Sequence, residues 1–377
     1  MSRKKFQDAC LDIIRRVLAS SWDKENAIEA KLAKEDNFLL LRFFAASLVL
    51  LSHCFDTLGI PGGDFLSRSP LDIGFNLGIV GVCIFFFVSG FLVAGSYMRR
   101  RSAVAFFVAR VLRIYPAYMA CVILCALVIG TSLTSISWTQ YLSEKETITY
   151  ISTNALLGHL QWGLPGLFLD NPHPQNVNAS LWTLPGEVRM YFYVLVFGSI
   201  GALSNRLIAN LVLLSLTIFT LFADSTLPLL DYPDHLLPLA GLFAGGAFCY
   251  INRAWVPVTG RIALALFLAT AISHGQIIYK PLALISIAYG SLWFAYCTPW
   301  HGFNRFGDYS YGVYLWNWPI QQAIWQVAKP ATPLVMFLLS YPVVIALAVL
   351  SWSFVERPAL RLKFRNARGV GERVPPA

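Results

Sequence analysis

Residues 38–55 read Phe-Leu-Leu-Leu-Arg-Phe-Phe-Ala-Ala-Ser-Leu-Val-Leu-Leu-Ser-His-Cys-Phe, an apolar run broken only by Arg42, Ser47, Ser52 and His53. A helix needs about 20 mostly apolar residues to cross the hydrocarbon core of a bilayer. Measured with that ruler, the run at 38–58 is the first of ten, followed by 74–98, 114–130, 181–203, 207–222, 236–251, 262–278, 282–297, 309–328 and 334–354. Hydrophobic residues make up 56% of the 377 and charged residues 13%. The apolar residues come in blocks and do not alternate with polar ones at strand spacing. The expected fold is therefore all-α, a polytopic membrane protein with about ten transmembrane helices.

The net charge of +9 raises the question of nucleic acid, and the placement of the charges answers it. With the N-terminus inside, the segments that would be cytoplasmic hold 23 of the 29 Lys and Arg, against 4 on the other side (Arg68, Lys145, Lys280 and Lys329). That asymmetry is the positive-inside pattern, and an even number of spans gives an N-in, C-in protein with no nucleic-acid partner. Residues 1–37 are charged throughout and lack the apolar core of a signal sequence, so a cytoplasmic amphipathic helix is expected there. Residues 38–356 would form one membrane domain and 357–377 a basic cytoplasmic tail. The seven cysteines lie mostly within spans, with neither a disulfide framework nor a metal site in their spacing. The longest stretch between spans, 131–180, carries Trp138, Tyr141, Tyr150, Trp162 and the turn-rich Asp170-Asn-Pro-His-Pro174, and suits a lid or rim at the outer interface.

An ionisable side chain in hydrocarbon costs a few kcal/mol, so each one inside a span is a candidate for function. Arg42 and His53 are eleven residues apart, three turns and about 20°, so they project from one helix face about 16 Å apart along the axis. Taken singly, Arg42 could snorkel to the inner headgroups and His53 could cap the outer helix end. Their shared face weakens both bland readings. Arg110 and Arg113, in Arg110-Val-Leu-Arg113-Ile-Tyr-Pro, share a face by i,i+3 spacing and offer forked donors to a phosphate; attraction to anionic lipid is the competing reading. Glu187, in Ser180-Leu-Trp182-Thr-Leu-Pro-Gly-Glu187, falls about two turns into the fourth span, at the depth of His53, where a carboxylate would orient the imidazole and stabilise its cation. The alternative for Glu187 is a local contact with Arg189 or lipid. In the ninth span Tyr309, Ser310, Tyr311, Tyr314 and Asn317 continue past the interface that an aromatic girdle would occupy, and so call for partners or a wet cavity.

Taken in order, the Arg42-x10-His53 pair, Phe85-Phe-Phe-Val-Ser-Gly-Phe-Leu92, Arg110-x-x-Arg113 with Ile-Tyr-Pro, Leu181-Trp-Thr-Leu with Glu187, Tyr309-Ser-Tyr-Gly-Val-Tyr-Leu and Phe354-Val-Glu-Arg-Pro resemble the acyltransferase-3 family of bacterial membrane-bound O-acyltransferases. The resemblance runs from Phe38 to Pro358. It implies an enzyme of the bacterial inner membrane that moves an acyl group, usually acetyl from cytoplasmic acetyl-CoA, to a sugar hydroxyl of a surface polysaccharide or its lipid-linked precursor. It implies His53 as the catalytic group, oriented by Glu187, and Arg42, Arg110 and Arg113 as the donor-phosphate site. Trp182, Tyr309, Ser310, Tyr311, Tyr314 and Asn317 would meet the substrate, and no metal is called for. His53 would act as general base or carry the acyl group transiently. Many members have His where this chain has Asn317, which puts a second acid/base role there in doubt. Two rival classes remain: a flippase or exporter of lipid-linked sugars, and a non-catalytic subunit of a polysaccharide assembly complex. Oligomeric state stays open, and membrane lipid is a partner in every reading.

Overall fold

The computed structural model describes Ile28 and residues 36–61, 63–68, 75–100, 102–222 and 237–368. The expected N-terminal amphipathic helix and the end of the basic tail lie outside these residues. The chain forms α1 (Phe38–Asp56), α2 (Leu77–Arg100), α3 (Ala103–Leu124), α4 (Trp138–Ser143), α5 (Lys145–Ala155), α6 (Leu184–Ser199), α7 (Arg206–Phe222), α8 (Leu237–Ile251), α9 (Gly260–Ile272), α10 (Tyr279–Cys297), α11 (Ser310–Ala328), α12 (Pro333–Ser351) and α13 (Arg357–Arg368). Among the described residues there is no strand.

Each of the ten apolar stretches falls on a helix, but the stretches are not equal. Among the described residues, four helices are long and apolar enough to cross a membrane: Phe38–Asp56, Leu77–Arg99, Ala103–Leu133 and Pro333–Leu362. Shorter apolar helices cover Arg206–Thr220, Pro238–Ile251 and Gly260–Ile272. Although α11 is as long as α1, its amides (Asn317, Gln321, Gln322 and Gln326) keep it from joining the four. Large apolar side chains such as Leu207, Phe267, Leu338 and Phe354 point outward, more than half exposed, as suits a surface solvated by lipid. The chain is a membrane protein.

One boundary departs clearly from expectation. The third span was placed at 114–130, yet α3 begins at Ala103, where the Ser102 side chain accepts from the Ala105 amide. Arg110 and Arg113 are thus helical residues turned toward the interior, and do not mark the edge of the span. Beyond α3 the chain passes through a π turn, Cys125–Gly130. It then folds back along α3, so that Tyr115 and Tyr118 donate to the carbonyls of Ala155 (3.1 Å) and Asn154 (2.8 Å).

Two packing features set up the site. Helices α2 and α8 meet at glycines: a Cβ on Gly90 would lie 1.9 Å from the Phe243 carbonyl oxygen, and one on Gly246 2.1 Å from that of Phe87. Helices α1 and α11 run parallel and side by side, since Arg42 meets Asp308, His53 meets Asn317 and Thr57 meets Gln321. One pair of helices therefore carries polar groups at both ends.

Candidate active site

The arginine end is a closed ionic lock. Asp308, just before α11, receives Arg42 Nη1 and Arg113 Nη2 on the same oxygen, each at 2.5 Å, while Ser310 Oγ donates to its other oxygen at 2.5 Å. Arg113 also reaches Glu356 Oε2 at 3.1 Å, and Ser351 Oγ donates to the second oxygen of Glu356 at 3.0 Å. A π turn over Trp352–Glu356 carries this carboxylate, the kind of local distortion that re-aims a side chain. Burial alone would raise the pKa of Asp308, but Arg113 and Arg42 outweigh it and hold the carboxyl below its usual value. Two of the three arginines expected to be free for donor phosphates are thus already paired, by partners 195 to 266 residues away in the chain.

Arg110 is different. Its Nε is buried without a hydrogen-bond partner, and its guanidinium lies over the rings of Phe106 and Tyr191 at 5.9 and 5.6 Å. It faces a cleft of about 750 Å³, which Arg42, Arg113, Ser89, Glu187 and Tyr191 also line and which ends against Thr183 and Tyr314. A half-buried guanidinium whose Nε has no partner among the described residues, in a cleft of this size, fits a phosphate-bearing ligand.

Glu187 belongs to this cleft and not to His53. It accepts from Ser89 Oγ at 3.0 Å and from the Tyr191 hydroxyl. The reason lies in residues 179–183, which form a 3-10 turn that already sits at the level of His53, with Ser180 Oγ 3.2 Å from Asn317 Oδ1. Glu187 is seven residues further on, about 12 Å deeper at 2.0 and 1.5 Å per residue. The expected Glu187–His53 pair is corrected accordingly.

The partner of His53 is Asn317, with Nδ1 and Oδ1 2.5 Å apart. The amide fixes the tautomer. Asn317 Nδ2 donates to the carbonyls of Val313 and Tyr314, at 3.2 and 2.6 Å, so Oδ1 faces the ring as an acceptor and Nδ1 must carry the proton. His53 Nε2 keeps its lone pair and meets no hydrogen-bond partner among the described residues. The Asp56 carboxylate, which meets no side-chain partner among the described residues, lies within electrostatic reach of the ring, and so does His173. The cleft reaches Tyr314, one turn of α11 short of Asn317. The arginine cleft thus ends about one helical turn from the partner of the imidazole.

A family model described as an acyltransferase domain matches residues 36–353, which include every group named so far except Glu356. The chain belongs to the acyltransferase-3 family. An "O-acetyl transferase" of Shigella phage Sf6 is 30% identical over 86% of this chain and 96% of its own length. "Nodulation protein 10" of Rhizobium leguminosarum bv. viciae is 27% identical over 87% and 94%. No solved structure matches.

The remaining expected residues of this acyltransferase divide into those that face the cleft and those that hold it. Tyr311 and Tyr314 line it, with hydroxyls tied to Ile114 O (3.1 Å) and Thr183 Oγ1 (2.6 Å). Ser310 serves Asp308 and Asn317 serves His53, so both position other groups. Trp182 and Tyr309 pack, half-buried, against the core, and neither lines the cleft. Sequence reasoning missed Asp308, Glu356, Ser89 and Tyr191. Asp308 and Glu356 sit beside or within two quoted motifs, at 309–315 and 354–358, and a buried arginine's need for a carboxylate was the available signal.

Proposed function

We propose that this acyltransferase moves an acetyl group from cytoplasmic acetyl-CoA to a sugar hydroxyl of an extracytoplasmic polysaccharide or lipid-linked glycan precursor. The setting is the bacterial inner membrane, with ten helices contributing to the membrane domain and both ends inside. The observation that carries this reading is His53, held with Nδ1 on Asn317 and Nε2 free, one helical turn beyond a cleft whose floor holds the unsatisfied Arg110. The parallel course of α1 and α11 agrees with an odd number of crossings between them, as for the first and ninth spans of the series. The phage relative's name supports acetyl and oxygen as donor group and acceptor atom. The glycan rests on the family resemblance.

In this reading Arg110 holds a donor phosphate, with Arg42 and Arg113 shaping the entrance from within their lock. The pantetheine arm rises past Tyr311 and Tyr314, bringing the thioester carbonyl to His53. Nε2 is the only basic atom of the ring available there, because Nδ1–H is committed to Asn317. It either removes the acceptor's proton or attacks the thioester itself. Purified protein incubated with radiolabelled acetyl-CoA tests the assignment. His53→Ala should lose about 10²–10⁴-fold in transfer. Arg110→Ala should raise KM for acetyl-CoA about tenfold or more, as loss of a charged hydrogen bond does, with a smaller change in kcat. Undiminished transfer by His53→Ala would overturn the reading, and a flippase or structural subunit would consume no acetyl-CoA at all.

A further inference from the structure

Around Trp318 three titratable side chains stand together with hydrogen-bonding capacity unused. The His53 and His173 rings both meet Trp318 edge-on, with centroids 4.9 and 5.4 Å from it. Asp56 lies three residues beyond His53 on the same face of α1 and interacts electrostatically with both imidazoles. Among the described residues neither the Asp56 carboxylate nor the His173 ring has a hydrogen-bond partner. All three residues are partly open to the outside of the protein. Three half-open titratable groups in one place, two of them on the same indole, offer donors and acceptors to a polar ligand entering from outside.

The segment that delivers His173 is built for precision. Pro172 and Pro174 restrict the backbone on either side of it. Asn171 Nδ2 donates to the carbonyl and side-chain oxygens of Gln322, at 3.0 and 2.9 Å. Gln322 Nε2 returns bonds to the carbonyls of His173 and Asn176, both at 2.8 Å, and Trp318 Nε1 donates to Asn176 O at 3.0 Å. Gly59, at φ +62°, lets Pro172 approach to 2.9 Å of where its Cβ would be. A merely covering loop would not need its one imidazole fixed this way beside the reactive one.

We propose that His173, with Asp56 beside it, is the general base on the acceptor side, and that His53 is the covalent acyl carrier. The proposal rests on the reading of His53 as the group that meets the donor. In the first step His53 Nε2 attacks the thioester carbonyl, the C–S bond breaks and CoA leaves as thiolate, which takes a proton from cytoplasmic water. The acylated ring, still carrying Nδ1–H against Asn317, is a cation that Asp56 stabilises. In the second step His173 takes the proton of the acceptor hydroxyl while its oxygen attacks the acyl carbon. The C–N bond then breaks, neutral His53 returns, and His173 releases its proton to outside water. With His53 acylated, another base is required, and His173 is the one the fold provides.

The test uses full-length protein with [14C]acetyl-CoA as the donor probe, scoring protein-bound label, together with alkali-released acetate from the surface glycans of cells carrying each variant. His173→Gln should keep the label on the protein at the wild-type level or above, and lose glycan acetylation roughly a hundredfold or more. His53→Ala should carry no label. Wild-type glycan acetylation by His173→Gln overturns the proposal. So does loss of labelling in His173→Gln and in His173→Asn alike, which would place the residue in folding or donor binding. Absence of label on wild type and His173→Gln, with only His53→Ala inactive in cells, overturns the covalent route while leaving His53 as base. Labelling and transfer that persist in His53→Ala would sink the underlying reading instead.

Discussion

The two ends of α1 are built in opposite ways. At the Arg42 end the charges are consumed: Asp308 holds two arginines, Arg113 holds two carboxylates, and serines fill the remaining oxygens. At the His53 end, one nitrogen is committed to Asn317 and the rest of the polar capacity, on Nε2, Asp56 and His173, is left open. Saturated groups in a low-dielectric interior hold helices in register, and unsaturated ones await a ligand. The contrast separates the part of the motif that makes the fold from the part we propose for chemistry, although both come from a single eighteen-residue run. Arg110 crosses the division, with its buried Nε unsatisfied at the structural end.

The strongest way to break the comparison is to open the lock. Asp308→Asn leaves Arg42 and Arg113 buried without their shared partner, and such a loss typically costs 3–5 kcal/mol, roughly. It should appear as a large fall in thermal stability of the detergent-solubilised protein, with loss of activity following from unfolding. A smaller effect is expected from Asn317→Ala, which frees the His53 ring to turn and to change tautomer. Transfer should fall about 10- to 100-fold through misplacement of the reacting nitrogen, with the melting temperature little changed. A stability loss as large as that of Asp308→Asn would mean that the outer end is structural too.

The smallest effect, and the sharpest in sign, is with pH. Asp308 is held below its usual carboxyl value of 3.8 by Arg113 and Arg42. A depressed folded-state value gives stability that is complete above the unfolded value and fades as pH falls through the folded one. Asp308 should therefore stay ionised and keep its contribution between pH 5 and 8, and infrared difference spectra across that interval, read against Asp308→Asn, check it by showing no change in its carboxylate band. A pH response of transfer there is expected from the imidazoles of the outer end, side chains that ordinarily titrate in that range.

The sequence made the helices legible, because apolar runs declare themselves locally and all ten fell on helices. It also made the shared face of Arg42 and His53 legible, since that follows from 100° per residue. Partners were not, because each joins α1 to a distant part of the chain: Asp308 and Asn317 lie more than 260 residues from the α1 side chains they meet, Arg42 and His53. Glu187 was misplaced for a subtler reason. Depth was counted from the start of an apolar run, and the 3-10 turn at 179–183 had already descended to His53. His173 lay in a stretch that read as a turn-rich rim, and only the bonds to Gln322 and Trp318 bring it to the site.

The most direct test pairs two numbers on two variants: melting temperature and acetyl transfer, measured side by side for Asp308→Asn and His53→Ala. The account predicts a crossed result, with Asp308→Asn losing its fold and His53→Ala melting with wild type while transferring about 10²–10⁴-fold less. A His53→Ala protein that keeps its transfer, or one that loses its fold as Asp308→Asn does, would contradict it.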